Sequence, residues 1–403
     1  MPGRHWVRRA AGFVVVVAAV AGCGQTVPGL PQAGMAPVEL TALNLGPYPG
    51  EPVDYESEVS TKMDVFRIEA RRMLGFLVSP DEVDPEMDHL DELRVVESLD
   101  SLFGEPPLGI YPAAFKPVMD RNFLLAGVTT TRSNNTPRTI RNTLHSLLRF
   151  PSDAAARTAA AELATTMAEL VPGGRRVPVP GHSGLEFLTA DDKKGFLFAA
   201  RGPFTLLSMV TLPAPDPAGL GDRIGKLVTL QYDRIDKTPV VPVDEILDLP
   251  ADPDGIMRRT LPPGDGEYSD LPRQFVGALS PAARLHFERD AAALRPVFER
   301  AGVDLVGQYS GVVYRTADLQ SAFLLQTALA RLGRYDEEID PPPGLTDVRC
   351  WKIDDRDPVR SSTYKCALVR GRYVAVVESA RMTFDAGLYQ RAAAQYSILA
   401  KSE

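Results

Sequence analysis

Residues able to carry chemistry are few in this chain, and their spacing decides against most reactions. Gly181-His182-Ser183-Gly184 sets a serine beside a histidine between glycines. The strand-to-helix nucleophile elbow of hydrolases reads G-x-S-x-G. Here the second glycine falls one residue early and a strand pattern follows, so a loop is expected. The acids Asp81, Glu82, Asp84, Glu86, Asp88, Asp91 and Glu92 are dense enough to raise calcium. A calcium loop alternates its oxygens around a bend-making glycine, and these acids have none among them. A solvated surface or a helix start is the expectation. Asp252-Pro253-Asp254-Gly255 comes closer, but Pro250 stands where the first ligand belongs and Leu261 where the closing glutamate does. His89, His145, His182 and His286 stand singly, none at ligand spacing from another. No catalytic residue, metal site or cofactor is therefore assigned.

The three cysteines are more specific. Cys23 ends the run Val20-Ala21-Gly22-Cys23, behind Arg4, His5, Arg8, Arg9 and an apolar segment over 10–19. That segment is too short to span a bilayer comfortably. A basic start, an apolar centre and small residues at the end make a secretory signal. The ending resembles the lipobox of bacterial lipoproteins, whose cysteine receives a diacylglyceryl thioether after which the signal is cut just before it. The resemblance implies lipidation at Cys23 and a membrane partner reached through that lipid. Two or more acyl chains, at about 0.8 kcal/mol per buried methylene, hold a protein where one would not. Cys350 and Cys366 remain as an even pair, expected to form a disulfide outside the cytosol. The loop they close holds the 15 residues 351–365, worth about 3 kcal/mol by chain entropy.

Composition narrows the partners. The 403 residues are 44% hydrophobic and 24% charged, the balance of a globular protein. Without residues 1–22 the chain keeps 41 basic against 52 acidic residues, a net −11. Such a surface has no general attraction for nucleic acid or anionic headgroups, so no nucleic-acid partner is expected.

The elements that position these residues are read by comparing two halves. Residues 24–50, rich in proline and glycine, read as a tether. Ala126-Gly127-Val128 in the first half is set against Ala301-Gly302-Val303 in the second. Strands over 146–150 and 311–315 lead into helices capped by Ser152 and Thr316. Ala155, Ala159, Leu163, Met167 and Leu170 make one inner stripe; Ala322, Leu325, Leu329 and Leu332 make the other. Hairpins turn at Arg201-Gly202 and Arg370-Gly371, and final helices carry Gln231-Tyr232 and Gln395-Tyr396. Landmarks recurring in one order mark a tandem duplication. The expected fold is α+β: two related domains, each an antiparallel sheet with helices packed on one face. The expected divisions are a signal over 1–22, lipidated Cys23 and tether over 23–50, a first domain over 51–240, and linker with second domain over 241–403.

TALNLGPYPGEP at 41–52, IEARRMLGFLVSPDEVDPEM at 68–87, DPDGIMRRTLP at 252–262 and the C-terminal Ala393-Ala394-Gln395-Tyr396-Ser397-Ile398-Leu399 carry a wider likeness. With the lipobox, they resemble mycobacterial and nocardial lipoproteins bearing a duplicated domain of unknown function. The resemblance implies a membrane-anchored, extracytoplasmic protein and brings no catalytic residues. A non-catalytic binding or envelope-structural module, with an envelope protein or lipid as partner, is the expectation. A carrier of a lipid or small apolar ligand is the alternative, and an envelope hydrolase the third.

Overall fold

The computed structural model describes residues 35–402 except 57–58, 60, 62–63, 97–98, 104–109, 265–272, 355–361, 382 and 385, with backbone alone for 100, 101 and 273. The expected signal, Cys23 with its expected lipid, and the expected tether up to residue 34 lie outside the described residues.

In the first half, α1 (Asp64–Met73) buries Val65, Phe66, Ala70 and Met73. The helix stops at Met73, and Leu74 to Leu77 leave as turns and an extended strap. Ser79 and Glu82 form a capping box that starts α2 (Pro80–Val83), with proline at its first position. There follow β1 (His89–Val95), α3 (Lys116–Arg121), β2 (Ala126–Ser133), β3 (Asn142–Arg149), α4 (Asp153–Leu170), β4 (Arg175–Pro178), β5 (Glu186–Thr189), β6 (Lys194–Arg201), β7 (Phe204–Thr211) and α5 (Pro217–Lys237). The second half runs β8 (Gly277–Leu279), α6 (Pro281–Leu285), α7 (Ala291–Arg300), β9 (Leu305–Gln308), β10 (Gly311–Arg315), α8 (Leu319–Leu329), β11 (Glu337–Ile339), β12 (Arg349–Lys352), β13 (Tyr364–Arg370), β14 (Tyr373–Ser379) and α9 (Ala386–Ala400).

Each half builds one seven-stranded sheet, ordered β1-β2-β3-β7-β6-β5-β4 and β8-β9-β10-β14-β13-β12-β11. Every neighbouring pair is antiparallel. The orders match strand for strand, and register fixes the residue equivalences. Arg201 faces Phe204 across one hairpin and Arg370 faces Tyr373 across the other. Gly202 and Gly371 sit in both turns at φ 56° and 54°, where a side chain is disfavoured.

The expectation of helices on one face needs correction. Along β7, Leu206 and Val210 join one core with Leu220, Ile224 and Val228 of α5. Leu207 joins another with Ala156, Ala159 and Leu163 of α4. Alternate strand residues point to opposite faces, so α4 and α5 cover the two sides. Both faces are apolar, and neither could be left to water.

Other expectations shift by a few residues. Ser152 caps α4 by accepting from the Ala155 amide, but α8 is capped by Asp318, which accepts from Ser321, and not by Thr316. Thr316 Oγ instead donates to the Arg372 carbonyl, 2.8 Å away. Ala126-Gly127-Val128 lies within β2, whereas Ala301-Gly302-Val303 ends α7, so the two are not equivalent. The positions that correspond are Phe123 and Gly302, the left-handed residues after α3 and α7. Residues 35–50, the end of the expected tether, pack on the second half. Ala36 donates to Asp347, Tyr48 accepts from Arg391 at 2.8 Å, and Ser397 donates to the Gly50 carbonyl. Cys350 and Cys366 face each other on β12 and β13 and are joined by a disulfide, their Cα atoms 4.1 Å apart.

The repeated Gln-Tyr pair has a duty in its first member. Gln231 is fully buried; its Nε2 donates to the Phe76 carbonyl at 2.8 Å and its Oε1 accepts from the Val78 amide at 2.9 Å. Gln395, equally buried, donates to the Arg259 carbonyl and accepts from the Leu261 amide, both at 2.8 Å. In both halves the amide behaves as a strand partner for a strap that no strand pairs among the described residues. Gln231→Leu or Gln395→Leu would orphan two buried backbone groups, at about 1–3 kcal/mol each. Denaturant titration should therefore show a loss of several kcal/mol for either variant; a loss under about 1 kcal/mol would mean the strap is held elsewhere.

Candidate functional site

The expected loop at Gly181-His182-Ser183-Gly184 is a turn between β4 and β5, with both glycines at positive φ. His182 Nε2 lies 2.9 Å from Thr229 Oγ1 and 3.1 Å from the Gly225 carbonyl, so its ring is tied to α5. Asp252 accepts from the Met257 and Arg258 amides, which makes the segment a backbone turn. Among the described residues no group of three His, Cys, Asp or Glu side chains converges as metal ligands would.

The acidic stretch over 81–92 divides as expected between a helix start, with Asp81 and Glu82 in the first turn of α2, and exposed residues, Glu86, Asp88 and Asp91, but several of its acids are paired. Asp84 pairs with Arg223 at 2.9 Å, Glu86 with Arg141, and Glu92 with Arg94 at 2.5 Å. Asp81 is buried; its carboxylate takes Arg295 at 3.0 Å, Arg132 at 3.5 Å and the Ser79 hydroxyl. Burial works to raise its pKa, but Arg132, Ser79 and Arg295 outweigh that and hold it below the usual carboxylate value. Arg132 also donates to the carbonyls of Glu288 at 2.8 Å and Arg289 at 3.3 Å. These residues come from both halves, so the acids and arginines lock the halves together. His286 completes the joint, its Nε2 donating to the Leu77 carbonyl at 3.1 Å. A continuous apolar core runs beneath, from Met73 and Leu77 to Phe275 and Phe287. At the junction lies a cavity of about 230 Å³ lined mainly by Leu93, Val95, Val96, Leu102 and Phe275.

A cleft of about 170 Å³ opens inside the second half instead, between α7, α8 and the sheet. Trp351, Lys365, Val376 and Glu378 line it from the sheet; Leu294 and Val297 of α7 and Ala328 and Leu329 of α8 line it from the helices. Part of its polar wall is a closed ring. Buried Arg284 donates to the Tyr314 hydroxyl and to Gln308 at 2.8 Å each, and pairs with Glu288 at 2.7 Å. Tyr314 in turn donates to Glu288 at 2.8 Å. Opposite stands a second ion pair, Lys365 with Glu378 at 3.2 Å. Lys365 and Glu378 are cross-strand neighbours on β13 and β14.

In the first half, the positions at the same distance from the hairpin turn are Phe196 and Met209. Both pack against the apolar core under α4, with Leu188 where the second half has Trp351. One copy thus fills this face with hydrocarbon, and the other opens it and lines it with charge. Sequence reading passed over all of these residues. Counting five residues back from each Arg-Gly turn and seven forward sets Phe196 and Met209 against Lys365 and Glu378, and that was the available signal.

The architecture defines a class: a duplicated α+β protein whose two seven-stranded antiparallel sheets carry packed helices. Family models for the N-terminal part of a domain of unknown function (DUF7373) match residues 56–251, and for its C-terminal part residues 256–402. The chain belongs to the DUF7373 family. A search of curated proteins gives no match. Among solved structures, the extracellular domain of PknH from Mycobacterium tuberculosis is similar at 11% identity and a TM-score of 0.29, over 42% of this chain and 96% of that one.

Two histidines sit deep in the fold. His145 lies between Gln231 Oε1 at 3.0 Å and Ser208 at 2.9 Å, and burial pulls its pKa down to about 4. Burial, reinforced by Arg132, pulls His286 to about 3. Both rings stay neutral when folded, while an unfolded histidine takes a proton below about 6.5. Their contribution is therefore complete above about pH 6.5 and declines as pH falls toward 4 and then 3. Asp81, held low, acts in the same direction. Unfolding midpoints should drop steadily on acidification below about pH 6.5. His286→Gln, which can still donate to Leu77, should flatten that slope.

Proposed function

We propose that this protein is a lipoprotein anchored through Cys23 on the extracytoplasmic face of the cell membrane, where it works as a non-catalytic binding module. The basic and apolar N-terminal segment ending in Val20-Ala21-Gly22-Cys23 supports the anchor. The Cys350–Cys366 bridge supports an oxidising compartment. The mycobacterial and nocardial lipoproteins it resembles supply the likeness of layout.

The observation that carries the binding reading is the divergence at one sheet face. Lys365 and Glu378 line an open cleft where the sister copy packs Phe196 and Met209. Placing a half-buried ion pair on a sheet face is costly, and hydrocarbon would fill the space more cheaply. Its retention beside the Arg284-Glu288-Tyr314 ring supports a small polar ligand carrying both donor and acceptor groups. A carrier of a lipid or small apolar molecule would need a drier lining than these charges give.

Native mass spectrometry of the full chain, extracted in detergent from its own membranes, should show a small-molecule adduct. The adduct should vanish when the cleft is given the first half's residues, Lys365→Phe with Glu378→Met. An unliganded wild-type chain, or an adduct that survives the exchange, would sink the binding reading. Separately, Cys23→Ala should move the protein from the membrane to the soluble fraction, and unchanged fractionation would sink the anchor.

A further inference from the structure

The far edges of the two sheets are equivalent strands with opposite charge. β4 reads Arg175-Arg176-Val177-Pro178 and β11 reads Glu337-Glu338-Ile339, each at the end of its sheet order. All four charged residues are exposed. An edge strand presents unpaired backbone groups, and proteins blunt such edges with charge and proline. Blunting needs charge of either sign. It does not need a positive edge on one copy of a duplicated fold and a negative edge on the other.

Backbone direction shows what each edge offers. The Val179 amide donates to the Leu185 carbonyl at 2.9 Å, so by alternation Val177 and Arg175 also turn toward β5. Arg176 and Pro178 then face outward, and proline has no N–H to give. On the other sheet the Ile353 amide donates to the Thr363 carbonyl at 2.8 Å. Trp351 therefore turns toward β13, while Lys352 and Cys350 turn toward β11. Glu337 and Ile339 pair with those two residues, which leaves Glu338 outward. Among the described residues each edge thus presents one residue whose N–H and C=O both face outward without a partner: Arg176 on β4 and Glu338 on β11.

We propose that copies of this chain associate head to tail, β4 of one pairing antiparallel with β11 of the next, with Arg176 opposite Glu338. That pair exchanges two backbone hydrogen bonds and sets the guanidinium and carboxylate on one face, as directly opposed residues are. In the same register Arg175 lies diagonal to Glu337 on the other face, within reach of long side chains. Glu337 and Glu338 already meet Lys352 at 3.6 Å and Arg349 at 3.2 Å within their own sheet, and the incoming arginines join those exposed pairs. Like edges repel: β4 against β4 brings arginines together, and β11 against β11 brings glutamates. The contact is therefore heterologous and builds a ring or an open chain, not a two-fold dimer. Pro178 ends the ladder after a few residues, so single contacts are weak. The inference stands independently of the lipid anchor and of the cleft.

Sedimentation velocity of the full chain in detergent tests it. At low ionic strength the sedimentation coefficient should rise with concentration, and the rise should disappear near 1 M salt, where the screening length is about 3 Å. Swapping one edge (Arg175→Glu with Arg176→Glu, or Glu337→Arg with Glu338→Arg) should abolish the rise with the melting temperature unchanged. Mixing the two swapped proteins should restore it, as should both swaps in one chain. A wild-type chain that stays monomeric, association that survives a single swap, or swaps that do not rescue one another would overturn the proposal.

Discussion

A fully buried glutamine amide holds an extended strap in each half, and much of the fold is built outward from that contact. The sheets are covered on both faces, so the chain must cross an apolar surface before entering its first strand. A crossing segment with no neighbouring strand would leave backbone groups unpaired. Gln231 and Gln395 supply both a donor and an acceptor from the last helix of each half. The two contacts differ in their surroundings. His145 also leans on Gln231, while the equivalent position is Gly311, where a Cβ would come within 3.1 Å of Gln395 Oε1. One motif thus sits beside a buried imidazole in one copy and beside a glycine in the other, where a Cβ would make a tight contact.

The first strap leads directly into Ser79 and Asp81, so its placement also sets the joint between halves. Arg132 and Arg295 converge on Asp81 from different halves, and Arg132 reaches on to the carbonyls after α6. Buried ion pairs add little net stability but permit few alternative geometries. The apolar core crossing the junction supplies the attraction, and the charges fix the angle. A duplicated protein needs such a device, because two copies with matching apolar faces can dock in several ways.

Once locked, the copies have diverged where each is free to do so. The face under α4 is packed solid, whereas the face under α8 holds Trp351 and a half-buried ion pair. The outer edges carry arginine on one side and glutamate on the other. Shared topology makes these differences readable, since each residue has a counterpart at the same register. They fall at a sheet face and at sheet edges, where a second molecule can reach them.

The sequence by itself determined the duplication, the α+β class and the strand–helix order, because hydrophobic periodicity, turn glycines and helix caps are local signals. It also supplied the pairing of Arg201-Gly202 with Arg370-Gly371, which anchors every other equivalence. What it left open depends on which residues meet across long separations. A linear reading does not show that Asp81 and Asp84 are paired, because their arginine partners, Arg132, Arg223 and Arg295, lie 51 to 214 positions away. The second covered face of each sheet was hidden because strands buried on both sides read as plain apolar runs. Lys365 and Glu378 look like ordinary strand charges until the sheet places them over a cleft. Only tertiary structure could decide these points, since burial and charge pairing belong to the folded arrangement and not to any local stretch of chain.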